Sequence, residues 1–413
     1  MPQLIMKIKF NLKSTFERYP TQFWLLFWGM LISTAGASMI WPFLMIYVSE
    51  KLGLQMTSVA SLMSLNAGAG LLASFIAGPI TDRAGRKVTM IVGLAGTGLL
   101  YLAMIPAESM LAFAILMTLR GFFNPLYRVG ADAMVADLIP EGQRADAYAL
   151  TRLSKNVGVA LGPAVGGFVA TASYSIAFWA AAIGLVFFSL MMTFFARETL
   201  PTSETPQIQA RGLRAYRELL RDRPFIFFIL AFTLTQIGST IVWVLLGVYA
   251  KQNYHILENQ YGLIPMTNAI MVVVLQVSVT ARTKQYRPSL MLALGAFLYA
   301  SGVTSIAFAS SFWGFWASMV VITCGELVLV PTATTYVANI APPAMRGRYM
   351  SVFSLCWGIA SGVGPVVGGY LNDNISPQAI WFGGGAIGLL GAIWFLFQSR
   401  KQKASEVVIT SDA

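Results

Sequence analysis

Two charged side chains stand near the middle of long apolar stretches in this sequence of 413 residues. Arg120 is followed at four-residue spacing by Asn124 and Arg128, so the three side chains share one face of a helix. Glu326 is the one carboxylate in a second apolar stretch. A charge in the apolar interior of a membrane costs free energy, so it usually faces a cavity or a partner. An acid set against an arginine can bind and release a proton, which makes Glu326 and Arg120 candidates for proton coupling.

The elements that position these side chains must be helices that cross a membrane. Hydrophobic residues make up 56% of the chain, charged residues 11%, and the mean hydropathy is +0.67. Soluble domains carry about 25% charged residues. About 20 apolar residues in a helix span a bilayer. Twelve stretches of this kind occur, at roughly 21–48, 58–80, 88–106, 110–138, 145–171, 175–196, 225–250, 258–281, 288–308, 312–340, 347–371 and 378–398. The composition therefore predicts an all-α membrane protein with twelve transmembrane helices.

One segment of the sequence occurs twice, 202 residues apart. Residues 140–167 and 342–369 both begin with proline, carry arginine four residues later and end in Gly-Pro, a spacer and Gly-Gly. Each copy lies where a charged loop leads into an apolar, glycine-rich helix. A second half that repeats the first in the same direction predicts two parallel six-helix bundles with a binding site between them.

The repeat divides the chain into three parts. Residues 1–196 are expected to form the first bundle, preceded by an amphipathic segment whose basic and apolar residues suit a membrane surface. Residues 197–223 are polar and then basic, and we expect a cytoplasmic linker with a short surface helix at 211–222. Residues 224–413 are expected to form the second bundle and a cytoplasmic tail.

The positive charges are distributed unevenly about the predicted spans. Of the 28 Lys and Arg residues, 22 fall in the tails and the even-numbered connections, four lie within spans, and the opposite side has only Lys51 and Lys251. This asymmetry predicts that both termini are cytoplasmic in a multi-pass plasma-membrane protein. The net charge of +11 thus reflects topology and contact with anionic lipid, and we expect no nucleic-acid partner.

The connection after the second span carries a recognisable signature. Residues 78–87 read GPITDRAGRK, and the pattern G-x-x-x-D-R-x-G-R-K resembles the signature loop of the major facilitator superfamily. The chain is similar to this family over nearly its whole length. The resemblance implies a cytoplasmic gate that stabilises an outward-facing state. Its residues are Gly78, Asp82, Arg83, Gly85 and Arg86, with Asp137 as the expected partner of Arg86.

The two glycines of this loop should have different structural roles. Gly78 should let neighbouring helices approach closely, and Gly85 should supply the free backbone angles of a tight turn. In the second half, Lys284 stands where the repeat would place the counterpart of Asp82. We therefore expect the cytoplasmic gate to be formed by the first half only.

The fifth span contains closely spaced small residues. Gly158, Gly162, Pro163, Gly166 and Gly167 resemble a motif associated with drug–proton antiporters of this superfamily. Small residues four apart form a groove for close helix packing, and a proline adds a kink. Ordinary packing is the alternative interpretation, because span eleven repeats much of the motif.

The resemblance also implies which spans surround a central cavity. In this family spans one, four, seven and ten line it, which would place Arg120 and Glu326 opposite each other at similar depth. We expect Asn124, Tyr127, Gln236 and Trp243 to contribute to the substrate cavity. Further candidates for an adaptable apolar or polar wall are Trp41, Phe123, Met266, Met271 and Asn268.

Asp132 is a second candidate for proton coupling. It lies one turn beyond Arg128 in the fourth span, at a depth that matches Arg152 in the fifth. We expect these two residues to form an ion pair across the hairpin, with Lys155 one turn further in.

The hypothesis that best fits these features is a monomeric secondary active transporter. It would export amphiphilic or cationic small molecules in exchange for protons by alternating access. The alternatives are proton-linked uptake or facilitated diffusion of a polar or anionic solute and, outside transport, a membrane sensor. An enzyme is disfavoured, and no metal or cofactor is expected, because His255 is the single histidine and Cys324 and Cys356 lie apart in two spans.

The predicted orientation can be tested with single cysteines in a variant that lacks Cys324 and Cys356. Ser203→Cys, in the linker, should react with a membrane-impermeant thiol reagent only after the cells are permeabilised, because the positive-inside rule keeps it in the cytoplasm. Leu54→Cys, between the first two spans, should react in intact cells. The reverse labelling pattern would show that the orientation is wrong.

Overall fold

The computed structural model of this chain describes residues 17–200, 219, 221–342 and 345–411. These residues form twelve long helices and no strand. The helices are α1 (Thr21–Leu52), α2 (Met56–Ala84), α3 (Arg86–Met104), α4 (Met110–Leu138), α5 (Arg144–Ala172), α6 (Tyr174–Phe195), α7 (Arg223–Tyr254), α8 (Glu258–Thr283), α9 (Pro288–Ser305), α10 (Phe312–Ile340), α11 (Arg346–Asn374) and α12 (Ala379–Ser411).

Eleven of these helices are long and apolar enough to cross a membrane. The remaining one, α5, has 29 residues, which suffices in length, but Arg152 and Lys155 lower its hydropathy. The predicted amphipathic segment before α1 and the predicted surface helix at 211–222 lie largely outside the described residues. All twelve predicted stretches coincide with helices.

Side chains and turn residues set the helix ends. Ser109 Oγ accepts a hydrogen bond from Ala112 N at 3.2 Å at the start of α4, as an N-cap does. Helices α1 and α7 both end in a left-handed residue, at Gly53 (φ 60°) and at His255 (φ 55°). These two residues are 202 apart, so the repeat extends to the turns. His255 therefore has a conformational role, since few residues other than glycine adopt this geometry.

The helices pack in two sets. Within α1–α6, α1 packs on α5 and α6, and α4 packs on α2 and α3. Within α7–α12, α7 packs on α11 and α12, and α9 packs on α10 and α12. Contacts between the sets run mainly through α2 with α11 and α5 with α8.

The apolar core is continuous between the two sets at one end only. We call this the closed end. It contains the turns at Gly53 and His255. There a single buried cluster extends from α1–α6 into all six helices α7–α12. Toward the opposite end, which we call the open end, α7–α12 have a separate buried cluster around Phe228, Phe232 and Phe353. A cleft between the sets therefore widens from the closed end toward the open end.

Glycine faces on α5 and α11 bring the helices together. A Cβ on Gly162 or Gly166 would overlap α1, and a Cβ on Gly167 would overlap the start of α8. In the second half, a Cβ on Gly364 would overlap α7 and one on Gly369 would overlap the start of α2. The glycines that the sequence singled out thus mediate backbone-to-backbone approach, both within and between the sets.

This packing yields a stability prediction. A Cβ on Gly166 would overlap the backbone of Met39 in α1. Gly166→Ala should therefore lower the thermal unfolding midpoint of the purified protein, at a cost of about 1–3 kcal/mol, the usual cost of overpacking. Gly68→Ala in α2 is the matched control, because nothing lies within 4 Å of a Cβ there. Equal midpoints for the two variants would contradict the close crossing of α1 and α5.

Candidate functional site

A cavity of about 240 Å³ lies between the two sets of helices. Trp41 of α1 and Met63 of α2 are the side chains that the first set contributes to its wall. Its other polar and aromatic lining comes from the second set and includes Gln236, Ser239, Trp243, Tyr299, Glu326 and Trp357. A concave site with apolar walls and a few polar groups is the usual form of a small-molecule site.

Helix α1 is interrupted where it reaches the cavity. Residues Trp41–Phe43 form a 3-10 turn, and Pro42 within it has no N–H to donate. Irregular backbone at membrane depth is tolerated where it lines a cavity. The break therefore presents Trp41 to the space between the two sets.

Glu326 borders the cavity, and its carboxylate accepts a hydrogen bond from a neighbouring helix. Asn268 Nδ2 of α8 donates to Glu326 Oε2 at 2.8 Å and lies 3.0 Å from Thr323 Oγ1. Asn268 and Thr323 are both buried, so this amide fixes one side of the carboxylate. Within the described part of the lining, Glu326 is the single acidic side chain.

Arg120 does not face Glu326 as the sequence analysis expected. Its guanidinium turns into the first set of helices, where Nη1 donates to Asn66 Oδ1 at 3.0 Å and Nε donates to Tyr101 Oη at 3.3 Å. It also lies 4.5 Å from the centre of the Trp41 ring. The expectation was wrong because position along a helix fixes depth, while the Asn66, Tyr101 and Trp41 side chains decide the direction of the arginine.

The structure separates the four predicted cavity residues into two pairs. Gln236 and Trp243 line the cavity, as does Trp41. Asn124 is exposed and lies outside that lining. Tyr127 packs edge-to-face on Phe188 of α6, with ring centroids 6.2 Å apart, so it belongs to the packing of the first set.

Asp132 pairs with a different cation from the one expected. Its Oδ1 lies 3.8 Å from Nζ of Lys155, not against Arg152. Both partners are partly exposed, which makes a weak ion pair. Arg152 is exposed in this structure.

The signature loop forms a polar cluster at the open end. Arg86 Nε donates to Asp137 Oδ2 at 3.0 Å, and Arg86 Nη1 lies 3.3 Å from Asp82 Oδ1. The first contact joins α3 to α4, as the sequence analysis expected. Gly85 has a φ of 97° between α2 and α3, a backbone angle that favours glycine.

Two other residues of the loop make little contact here. Arg83 is exposed, and a Cβ on Gly78 would meet nothing within 4 Å. The expected close helix approach at Gly78 is therefore absent from this conformation.

Glu198 completes the cluster and was missed by the sequence analysis. Its carboxylate accepts hydrogen bonds from the backbone N–H groups of Arg86 (2.9 Å) and Lys87 (3.1 Å), and from those of Thr199 (2.8 Å) and Leu200 (3.0 Å). It thus caps the positive N-terminus of α3. The sequence places this acid just after the sixth span but does not mark the backbone N–H groups that become its partners.

Polar contacts at the closed end come in pairs related by the repeat. Gln252 Nε2 donates to Ser49 Oγ at 2.8 Å, and Lys251 Nζ lies 2.6 Å from Glu50 Oε1. In the repeat, Ser49 corresponds to Lys251, and Glu50 corresponds to Gln252. The two contacts are therefore counterparts of each other. Lys251 also pairs with Glu258, so the charged contact joins α1, α7 and α8.

The starts of α2 and α8 are capped in the same paired way. Asp373 Oδ2 at the end of α11 accepts from Thr57 N at 2.8 Å, and Thr171 Oγ1 at the end of α5 accepts from Asn259 N at 3.1 Å. Asp373 lies 202 residues after Thr171, and Asn259 lies 202 residues after Thr57. At the closed end, each pair of repeat-related contacts therefore has one charged and one neutral member.

Within the described residues, no three His, Cys, Asp or Glu side chains form a group that could hold a metal ion. Cys324 and Cys356 are free thiols on α10 and α11. The chemistry of the central site is therefore that of Glu326, the polar groups around it and the aromatic rings.

Comparison with known proteins agrees with this architecture. The profile of the Major Facilitator Superfamily matches residues 26–237 and 228–408. A Na(+), Li(+), K(+)/H(+) antiporter of Planococcus maritimus is 26% identical over 378 residues, which cover 84% of this chain and 87% of that protein. The quinolone resistance protein NorA of Staphylococcus aureus (strain MSSA476) is 22% identical over 395 residues, covering 92% and 97%. The crystal structure of the nucleoside transporter NupG shares the fold, with a TM-score of 0.78 at 14% identity over 91% of this chain and 98% of that one.

The Glu198 cap predicts a pH dependence of stability. Partial burial acts to raise the pKa of this carboxyl, but the four backbone N–H donors outweigh it and hold the pKa below its usual range. A carboxyl with a lowered folded-state pKa stabilises the fold above its unfolded-state pKa, and the effect disappears as pH falls through the folded-state value.

Glu198→Gln should therefore lower the thermal midpoint at pH 7, by a loss of about 0.3–1 kcal/mol. The difference from the unmodified protein should shrink below about pH 4. Glu141→Gln is the control, because that acid is exposed and makes a short-range surface pair with Arg144. A Glu198→Gln deficit that is the same at all pH values would contradict a charge-dependent cap.

Proposed function

Because the chain belongs to the Major Facilitator Superfamily, a family of transporters, we propose that it exports amphiphilic or cationic small molecules in exchange for protons. The observation that carries the proposal is the placement of Glu326 on the wall of an aromatic cavity between the two sets of helices. Aromatic faces and a carboxylate together attract an organic cation.

Exchange follows from the single acid in the described lining. A protonated Glu326 has no charge to offer a cation, whereas the carboxylate attracts one. Proton binding and cation binding therefore compete for the same group. A protein that opens this group alternately to each side of the membrane would couple proton entry to cation exit.

The packing supports alternating access by two six-helix bundles related by the repeat. The closed-end contacts of Ser49 with Gln252 and of Glu50 with Lys251 are related by the 202-residue shift, as expected when two similar bundles meet. Toward the open end, a Cβ on Gly78 of α2 would meet nothing within 4 Å. We assign residues 1–196 to the first bundle and 224–413 to the second, with the open end in the cytoplasm and the protein acting as a monomer in the plasma membrane.

The Asp82–Arg86–Asp137 cluster would then act as the cytoplasmic gate. In the opposite conformation, α11 would cover Gly78 on α2, because those helices already touch nearer the closed end. Glu198 would support the gate by fixing the backbone of Arg86.

The alternative of anion uptake has less support. It rests on Arg120 and Arg128 as cations that face the solute. Arg120 is 8% exposed and hydrogen-bonded to Asn66 and Tyr101, and Arg128 is not part of the described cavity lining. Exchange of metal cations, the activity in the name of one relative, is a second candidate. It fits less well, since small metal cations prefer several oxygen ligands and this cavity is mainly aromatic and apolar.

Substitution of Glu326 tests the proposed function. In proteoliposomes with an imposed pH gradient, Glu326→Gln should abolish accumulation of an organic cation such as ethidium, because the amide cannot take up the proton. Exchange of ethidium down its own gradient should persist but need a higher ethidium concentration, since the cavity shape is nearly unchanged while the attraction of the carboxylate is lost. Glu108→Gln, which alters an exposed acid outside the cavity, is the control.

Accumulation of ethidium against its gradient by Glu326→Gln would refute the coupling role. Failure of the unmodified protein to move any organic cation, with pH-driven flux of Na⁺ or K⁺ instead, would favour the metal-cation alternative.

A further inference from the structure

We propose that Arg120 is a positioning residue for Trp41, and that its guanidinium fixes the indole as a wall of the central cavity. On this view Arg120 sets the affinity for the flat apolar part of a ligand and does not relay protons to Glu326. The proposal rests on the proposed function in one respect only, that the cavity holds the transported molecule.

All the contacts described for the Arg120 guanidinium lie within the first set of helices. The guanidinium contacts α2 through Asn66 Oδ1 (3.0 Å) and α3 through Tyr101 Oη (3.3 Å). It also lies over two aromatic faces, 4.5 Å from the Trp41 ring and 5.5 Å from the Tyr101 ring. Among the ion pairs of the described residues, Arg120 takes part in none. Cation–π contacts and neutral acceptors therefore solvate this buried cation.

Trp41 is a residue that needs support. It lies in the 3-10 turn where α1 is interrupted, and Pro42 beside it donates no backbone hydrogen bond. The indole also forms part of the cavity wall. Because one part of the ring faces the cavity and the guanidinium packs against it, Arg120 limits the rotamers that Trp41 can adopt.

The repeat supplies a natural comparison. Trp243 is the residue 202 positions after Trp41, and it also lines the cavity. It stands within α7, which runs without interruption from Arg223 to Tyr254. The cavity therefore has two repeat-related tryptophans in its wall. Trp41 has a guanidinium packed on its ring and lies where its helix is interrupted, whereas Trp243 lies in a continuous helix.

The two walls differ electrostatically as a result. The cation on Trp41 draws the π electrons of the ring toward itself, which weakens the attraction of that indole for a second cation. Trp41 then suits a flat uncharged ring, held by stacking. The charged group of the ligand is left to the part of the wall that contains Glu326. The arrangement selects a molecule with an aromatic plane and a separate positive charge.

Binding measurements with two probes test this division of roles. (2-Naphthylmethyl)trimethylammonium carries its charge on an ammonium group beside an uncharged aromatic plane, and tetrabutylammonium is a cation without an aromatic plane. At fixed pH in detergent, Arg120→Gln should weaken binding of the naphthyl probe by about threefold to thirtyfold, the range of a lost cation–π contact. Tetrabutylammonium binding should change by less than about twofold, because it gains nothing from a fixed indole.

Double-mutant cycles assign the partner of Arg120. The effect of Arg120→Gln on binding of the naphthyl probe should largely vanish in a Trp41→Leu background and should persist in a Glu326→Gln background. The opposite pattern, coupling to Glu326 and additivity with Trp41, would overturn the proposal in favour of proton relay. Arg120→Gln should also still concentrate ethidium under a pH gradient when the probe is saturating.

A ligand-independent measurement separates this inference from the proposed function. Hydroxyl-radical footprinting with peptide mass spectrometry should show faster oxidation of Trp41 in Arg120→Gln, because the freed indole becomes more accessible, with Trp243 unchanged as the internal control. Unchanged oxidation of Trp41 would refute the positioning role even if no organic cation binds. Should Arg120→Gln fail to fold, Arg120→Lys, which keeps the charge but loses the planar fork, should give the same changes in smaller measure.

Discussion

The two sets of helices meet at the closed end through backbone contact, and the rest of the architecture depends on this contact. Gly167 against the start of α8 and Gly369 against the start of α2 leave no room for a side chain. Helices that touch at glycine can pivot, because no long side chains interlock at the crossing. Closure at one end, combined with helices of about 30 residues, leaves a cavity at mid-depth and a cleft beyond it. The location of Glu326 and Trp41 is a consequence of that geometry.

The cost of burying charge explains why Arg120 and Glu326 have different surroundings. Every charge at this depth carries a large solvation cost, so each must be matched locally. Arg120 is matched by Asn66, Tyr101 and the Trp41 ring, and it adds no free charge to the cavity. Glu326 has one oxygen held by Asn268 while its side chain borders the cavity. The charge of the cavity therefore depends on a single carboxylate in its described lining, and the proposed mechanism uses proton binding there as a switch for cation binding.

The sequence predicted the helices and the open-end cluster well, for physical reasons. Apolar length alone decides whether a helix can span a membrane, and the partner of Arg86 had to be an acid at a neighbouring helix end, where Asp137 was available. The Arg120–Glu326 pair and the Asp132–Arg152 pair were wrong because depth along a helix does not determine which way a long side chain points. Glu198 was missed because its partners are backbone N–H groups, which leave no mark in the sequence.

The repeat shows which features the proposed mechanism needs twice and which it needs once. The paired features are matters of shape: the left-handed turns at Gly53 and His255, the glycine faces of α5 and α11, and the capped starts of α2 and α8. Two bundles that rock about a shared crossing need similar shapes, since each must fit the other in both conformations. The unpaired features are chemical: Glu326 has Asn124 as its counterpart, Arg120 has Ile322, and Asp82 has Lys284. Two carboxylates in one cavity would repel each other and spread proton release over a wide pH range. One acid on one side of a symmetric frame instead gives a single proton-binding step for each opening of the cavity.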